Sequence, residues 1–341
     1  MDTLLAVDGN SLVHRSFHAL AGSDLRTADG RAIWAVQGFC RQVLGALDRV
    51  GARALVVGFD DHDASERKAR WPHYKATRKP KPPELGEQIA RTVELLRDAG
   101  VHVVVPAGLE ADDVLASAAR AASAAGWHTV IVTSDRDAFA LIDDSTSVLR
   151  LITGGVTASP VLTPERLVTL TGVRPEQYRE YAAMRGDTSD NLTGIHGIGA
   201  KTAARLLAAF GTVQAAFDDV DAGGAAVAAA LGRASVGRLA DQEHRAAFAR
   251  NVEIMTMRTD LALGLELETG GLGCLPLDPD RVTAALRALE LAAVHDSALR
   301  LLTDAPTTAP APIPAYASAS APRRPAVTVA AGPGWSAETL F

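Results

Sequence analysis

Short apolar runs alternate with longer stretches of three- and four-residue periodicity over the first half of the chain. Runs near 3–7, 53–59, 101–105 and 128–133 read as strands, and 146–151 as a further one. Between them, 33–50, 84–99 and 110–125 repeat their apolar positions at helical spacing. Alternation of this kind predicts a mainly parallel sheet with helices on both faces. Residues 61–83 break the rhythm. They are polar, contain Pro72, Pro80, Pro82 and Pro83, and join a strand to the next helix, as lids and binding loops do. After about residue 160 the pattern turns helical, with starts at Thr163-Pro164-Glu165 and Arg174-Pro175-Glu176. The longest helical pattern covers 235–257, and 279–302 hold one or two more. From about 304 Pro and Ala dominate, which predicts an extended, disordered tail over 304–341. There is no internal repeat.

Acidic residues stand where these strands end. Asp8 follows the first run and Asp60 the second; Glu110, Asp112 and Asp113 come soon after the third. Asp135 and Asp137 follow the fourth, and Asp187 and Asp190 lie in Gly186-Asp187-Thr188-Ser189-Asp190-Asn191. Open α/β sheets bind ligands at the carboxyl ends of their strands, so nine carboxylates are expected to meet at one crevice. They would repel strongly unless cations compensate them. Hard oxygen donors without Cys or His suit Mg²⁺ or Mn²⁺. Any one such aspartate reads equally well as a helix cap or turn former, and Asp135 and Asp137 could cap the segment around Phe139. Five such sites together point to two metal ions, the arrangement that serves phosphodiester hydrolysis.

Composition narrows the class. A chain of 341 residues with 48% hydrophobic content suggests one large or two modest domains. No apolar run has the length of a membrane span, and the N-terminus lacks the charged-then-apolar pattern of a signal peptide. Only Cys40 and Cys274 occur, which fits a reducing cytoplasm better than a disulfide framework. The net charge of −6 argues against a nucleic-acid partner until the nine clustered acids are set apart, for they outweigh it. Locally the balance reverses: Arg67, Lys68, Arg70, Lys75, Arg78, Lys79 and Lys81 crowd a stretch with one acid, Glu66. Interleaved Trp71, His73 and Tyr74 suggest stacking on bases as well as contact with phosphates. Beside an acidic crevice, such a segment would attract a strand that the acids alone would repel.

A second nucleic-acid signal is Gly194-Ile195-His196-Gly197-Ile198-Gly199-Ala200-Lys201. Glycines permit a tight turn, and the helix that follows opens its free N–H groups towards a phosphate, with Lys201 adding charge. Gly197, Gly199 and Lys201 thus form a helix-hairpin-helix pattern over about 187–210 that grips duplex backbone without reading sequence.

Taken with Leu5-Ala6-Val7-Asp8-Gly9-Asn10-Ser11-Leu12, Arg15-Ser16-Phe17-His18, Pro72-His73-Tyr74-Lys75-Ala76-Thr77-Arg78, Leu109-Glu110-Ala111-Asp112-Asp113 and Ser134-Asp135-Arg136-Asp137, these motifs resemble the 5′ nuclease domain of bacterial DNA polymerase I. The chain is similar to stand-alone bacterial 5′–3′ exonucleases, relatives of the flap endonucleases, over roughly 3–300. The resemblance implies a three-layer, PIN-like α/β nuclease domain over 1–160, with a helical arch at 61–83 and a helical DNA-binding region over 161–303. It implies a metal-dependent enzyme that removes 5′ flaps and RNA primers and degrades DNA from nicks and 5′ ends. Asp8, Asp60, Glu110 and Asp112 would serve the first metal, with Asp113 close by, and Asp135, Asp137, Asp187 and Asp190 the second. Arg67, Lys75 and Arg78 would hold the scissile phosphate, and Arg15 a further one. Asp61, His62, Asp63 and Glu66 depart from the family pattern by placing negative charge at the arch root. The tail ends in Leu340-Phe341, similar to short peptides that bind the bacterial sliding clamp. The competing class is a non-catalytic binder of branched DNA, which loss of second-group acids would favour; none is missing.

Overall fold

The computed structural model describes residues 1–304; the tail, with Leu340 and Phe341, lies outside the described residues. Six strands form one sheet in the order β3-β2-β1-β4-β5-β6: β1 (Thr3–Asp8), β2 (Ala54–Gly58), β3 (His102–Val104), β4 (His128–Thr133), β5 (Thr146–Arg150) and β6 (Val161–Leu162). The first five are parallel, and the two-residue β6, which no apolar run announces, pairs antiparallel with β5. Strand side chains alternate between two cores, as the two-residue period requires. Leu5, Val7, Leu55 and Val57 enter one core; Leu4, Ala6, Ala54 and Val56 enter the other. A sheet buried on both faces explains why its strands read as unbroken apolar runs.

The first core lies under α1 (Gly9–Leu20), α2 (Trp34–Val50) and α4 (Pro83–Asp98), with α3 (Glu66–Arg70) standing apart in the insertion. The second lies under α5 (Ala111–Ala124). A short α6 (Gly155–Ala158) leads to the helices α7 (Pro164–Thr171), α8 (Pro175–Arg185), α9 (Ala200–Phe210), α10 (Val213–Asp221), α11 (Ala225–Leu231), α12 (Arg233–Ala240) and α13 (Gln242–Ile254), most of which extend the second core. A small hairpin, β7 (Gly186–Asp187) with β8 (Leu192–Thr193), separates α8 from α9. Because β1 leads leftwards to β2 and β3 while α5 carries the chain back across to β4, the topological switch falls between β1 and β4. Asp8 and the Asp135–Asp137 segment flank that point.

Three expectations need correction. The pattern over 235–257 is two helices, because Asp241 turns extended and caps α13 by accepting from the amides of Glu243 (2.8 Å) and His244 (3.0 Å). The insertion is helical only over Glu66–Arg70; its prolines leave the remainder as turns and extended chain. The last helices, α14 (Pro279–Ala288) and α15 (His295–Thr303), do not join the helical region of 161–303. They return to the first core through Val282, Leu286, Val294 and Leu302, carried there by a segment whose Cys274 bridges Ala54.

Gly9, at the start of α1, shows how tightly the switch point is packed. A Cβ there would lie 2.4 Å from the ring of Phe59, which is fully buried and stacked 6.5 Å from Phe39. We expect Gly9→Ala to destabilise the fold by about 1–3 kcal/mol through overpacking, read as a lower urea midpoint at unchanged slope.

Candidate active site

Asp8 ends β1 buried, with each carboxylate oxygen taking one hydrogen bond. One oxygen accepts from the Ser11 amide (2.9 Å) as the N-cap of α1, and the other from the Thr133 hydroxyl of β4 (2.7 Å). Asp60, just past β2, accepts from Asn10 Nδ2 (3.0 Å) and from the Ala111 amide that opens α5 (2.9 Å). Glu110 and Asp112 stand at the same helix start. Asp135 accepts from the Asp137 amide (3.0 Å), as a turn former does. Asp187 orders its loop by accepting from the Ser189 amide and hydroxyl (2.7 Å each), and Asp190 is buried beside Arg78.

The electrostatics show that these acids share one region. Burial pushes the Asp8 carboxyl up to about 7 despite its hydrogen bonds, and Asp60 and Asp135 add to the rise. Burial likewise raises Asp112 well above the usual range, helped by Asp135, Asp8 and Asp137. Asp137 is raised by burial and by Asp135, Asp190 and Asp187. Carboxylates from five points in the sequence therefore repel one another at the end of the sheet. Among the described residues no three His, Cys, Asp or Glu side chains form a closed ligand set. The donor chemistry nevertheless fits hard divalent cations: oxygen ligands only, destabilised as anions by burial and then by one another's charge.

The insertion supplies the positive charge. Lys75 Nζ reaches Glu110 (2.9 Å); burial works against its ammonium, but Glu110 and Asp190 outweigh it and raise its pKa. Arg78 pairs with Asp190. Two hydrogen bonds tie the same segment to the loop after α8, one from the Lys75 backbone amide to Asp190 O (2.9 Å) and one from the Asn191 side chain, Nδ2, to His73 O (2.8 Å). The acids at the arch root are occupied structurally. Asp61 accepts from Gly108 N (2.7 Å), and the Glu66 side chain lies against Gly108.

Four expected site residues are used otherwise. Asp113 is fully buried, and its oxygens take both Arg67 nitrogens (2.7 Å each), the Arg258 amide (2.8 Å) and the Glu110 amide (3.1 Å). These contacts leave it turned towards Arg67 and away from the crevice. Burial opposes its ionisation, but Arg67 holds its carboxyl below the usual range. Arg67 also donates to Ile254 O and Thr256 O (3.1 Å each), so it braces the arch root against the end of α13 and has little left for a phosphate. Tyr74 is buried against Leu192, Ile254 and Met255 and donates to Glu110 (3.1 Å), so its ring offers no stacking face. Arg15 donates to Ile152 O, at the end of β5.

Gly197 turns with φ +76° and, with Gly199 and Lys201, lies exposed over the buried anchors Ile195 and Ile198. A groove of about 980 Å³ between α5, α7 and α8 contains none of the nine acids. Sequence reading missed Asn10, Thr133 and the Ser11–Ser134 pair (2.6 Å), all of which lie beside the acids they orient. It also missed Asn251, buried on α13, which donates to Ala183 O (3.0 Å) and Thr193 O (2.9 Å) and carries no local signal.

Two family models match, the 5′–3′ exonuclease N-terminal resolvase-like domain over residues 3–170 and its C-terminal SAM fold over 173–277. The chain belongs to the 5′–3′ exonuclease family. It is 36% identical over 294 residues to DNA polymerase I of Mycobacterium bovis, covering 86% of this chain and 31% of that protein. With thermostable DNA polymerase I of Thermus thermophilus it shares 35% over 291 residues, 84% of this chain and 32% of that one. The chain thus spans about a third of the length of these curated relatives. In fold it is similar to the T5 D15 protein co-crystallised with metal ions (TM-score 0.60, 20% identity, 88% and 99% of the two chains). The catalytic core of Rad2 in complex with DNA substrate is likewise similar (TM-score 0.56, 17% identity, 89% and 93%).

Within this exonuclease the Arg67–Asp113 pair should be a structural strut. Arg67→Ala strands a buried carboxylate and is expected to cost about 3–5 kcal/mol, while adding Asp113→Ala to it costs little more, a coupling that a double-mutant cycle in urea measures. Asp8 gives the opposite sign. Its folded pKa is raised, so in chelator stability falls as pH rises from about 4 to about 7. Asp8→Asn, which keeps the cap, should therefore raise the melting temperature of the metal-free protein progressively across that window.

Proposed function

We propose that this chain is a divalent-metal-dependent 5′ nuclease that hydrolyses phosphodiesters where single strand meets duplex. Its substrates are 5′ flaps, nicks and free 5′ ends of DNA, RNA primers included, and its products carry a 5′-phosphate and a 3′-hydroxyl. The observation that carries this reading is the facing of two charge sets at the switch point: Asp8, Asp112 and Asp137, all raised by burial and further by one another's charge, opposite Lys75 and Arg78. The metal ions on the T5 protein and the DNA on the Rad2 core support it.

Asp8, Asp60, Glu110 and Asp112 would hold one cation, and Asp135, Asp137, Asp187 and Asp190 a second, with Mg²⁺ or Mn²⁺ the fitting ions. Bound there, the pair supplies acidification of water and neutralisation of charge on the phosphate. The remaining work belongs to the chain. Lys75 exchanges its Glu110 partner for a non-bridging phosphate oxygen, and Arg78 does the same from Asp190; both thereby fix the scissile phosphate. Lys75 sits at φ +56°, a left-handed backbone held by its amide bond to Asp190 O, so its position is set by the closed segment and not by local preference. Asn10 and Thr133 keep Asp60 and Asp8 oriented. Gly197, Gly199 and Lys201 anchor the downstream duplex by its phosphates. Cys40 and Cys274 are free thiols, which suits a reducing cytoplasm.

The decisive test uses end-labelled flap, nicked and single-stranded substrates. Cleavage with Mg²⁺, abolished by chelator, is expected for the wild type. Asp135→Ala should lose at least about a hundredfold in cleavage while still binding the junction. Full cutting in excess chelator would refute the proposal.

A further inference from the structure

Arg238, on α12, lies outside every motif considered so far, yet its guanidinium rests on the hairpin. Nη1 donates to Gly197 O (3.1 Å). A Cβ on Gly197 would stand 2.7 Å from both Cζ and Nε of Arg238, so the planar group fills the space that the glycine leaves. The other end of this contact is fixed too: Arg238 O meets His244 Nδ1 (3.0 Å), which ties α12 to α13. Among the described residues Arg238 has no carboxylate partner, unlike Arg245, which pairs with Asp221 (2.7 Å).

The surroundings favour an anion. In a chain of net charge −6, residues 191–217 contain no acid, and neither do 222–240. These two stretches supply the hairpin with α9 and α11 with α12, and they meet in the fold: Arg205 of α9 donates to Ala230 O of α11, and Arg238 donates to the hairpin. The acids between them are engaged elsewhere. Asp219 accepts from Val227 N (2.8 Å), Asp221 pairs with Arg245, and Asp218 accepts from Gln214 (2.8 Å). Lys201 and Arg205, four apart on α9, share an exposed face beside the turn that Arg238 covers.

We propose that Arg238 is a second duplex-backbone contact that also braces the hairpin, so that the grip on downstream DNA is built from two elements, the Gly197–Lys201 turn and the end of α12. One face of the guanidinium edge holds the Gly197 carbonyl, and the N–H groups not engaged there take a phosphate oxygen next to the one taken by Lys201. Bracing matters because a turn whose carbonyl is fixed presents its amides in one orientation. The inference rests on the reading of this hairpin as a duplex anchor.

The test measures binding of the full chain to a labelled duplex and to a single strand in chelator, across a salt series, for wild type, Arg238→Ala, Arg238→Gln, Arg238→Lys and Lys201→Ala. Arg238→Ala is expected to weaken duplex binding on the order of tenfold and to lower the slope of log affinity against log salt by about 0.9, the share of one phosphate. Arg238→Gln should do the same with less risk to packing, Arg238→Lys should keep the slope and recover part of the affinity, and single-strand binding should not move. An unchanged slope in both Arg238→Ala and Arg238→Gln, with a reduced one in Lys201→Ala, overturns the proposal alone. Unchanged slopes in all three overturn the hairpin reading itself, and this inference with it.

Discussion

Everything in this molecule is arranged around the repulsion between carboxylates held together at the ends of parallel strands. The sheet cannot disperse them, because Asp8 caps α1 and the Asp60 carboxylate holds the first amide of α5. Packing at Gly9 and Phe59 leaves the backbone no room to open. The strain is met in two ways. Burial keeps Asp8, Asp112 and Asp137 high in pKa, while the insertion brings Lys75 to Glu110 and Arg78 to Asp190, whose carboxyl burial still raises. The same two side chains are the ones that a phosphate would recruit, so charge pairing within the protein and substrate positioning compete for them.

That competition depends on the insertion being held in register. Its root is pinned by Arg67 to α5 and to the end of α13, and its middle by Asp190 and Asn191 to the loop after α8. The insertion therefore touches both the sheet domain's α5 and the helical region. Burial of Asp113 and Tyr74 makes this bracing rigid at two points, and it explains why residues of arch-like sequence divide into those that point at the crevice and those that hold the segment in place.

Much of this was legible before any coordinates. The strands of the parallel sheet are buried on both sides, so their apolar runs stand out, and acids placed directly after them inherit their position from the sheet. Asp8, Asp60, Asp112, Asp135 and Asp137 bear on one another electrostatically for that reason, and the loop after α8 brings Asp187 and Asp190 to the same region. Asp113 differs by a single position on a helix: a residue after Asp112 points about 100° away, and only the fold shows Arg67 waiting there. Tyr74 was misread because an aromatic among cations fits a stacking surface and a buried anchor alike. The break at Asp241, the two-residue β6 and the long-range partner Asn251 left no period in the sequence, since each is decided by tertiary contacts.

The return of α14 and α15 to the first core changes what counts as the smallest working unit. The C-terminal SAM-fold model ends at residue 277, yet Val282, Leu286, Leu291, Val294 and Leu302 complete the apolar layer beneath α2 and α4. A fragment trimmed at the family boundary would uncover that layer on the face behind the crevice, and would tend to aggregate for reasons unconnected with catalysis.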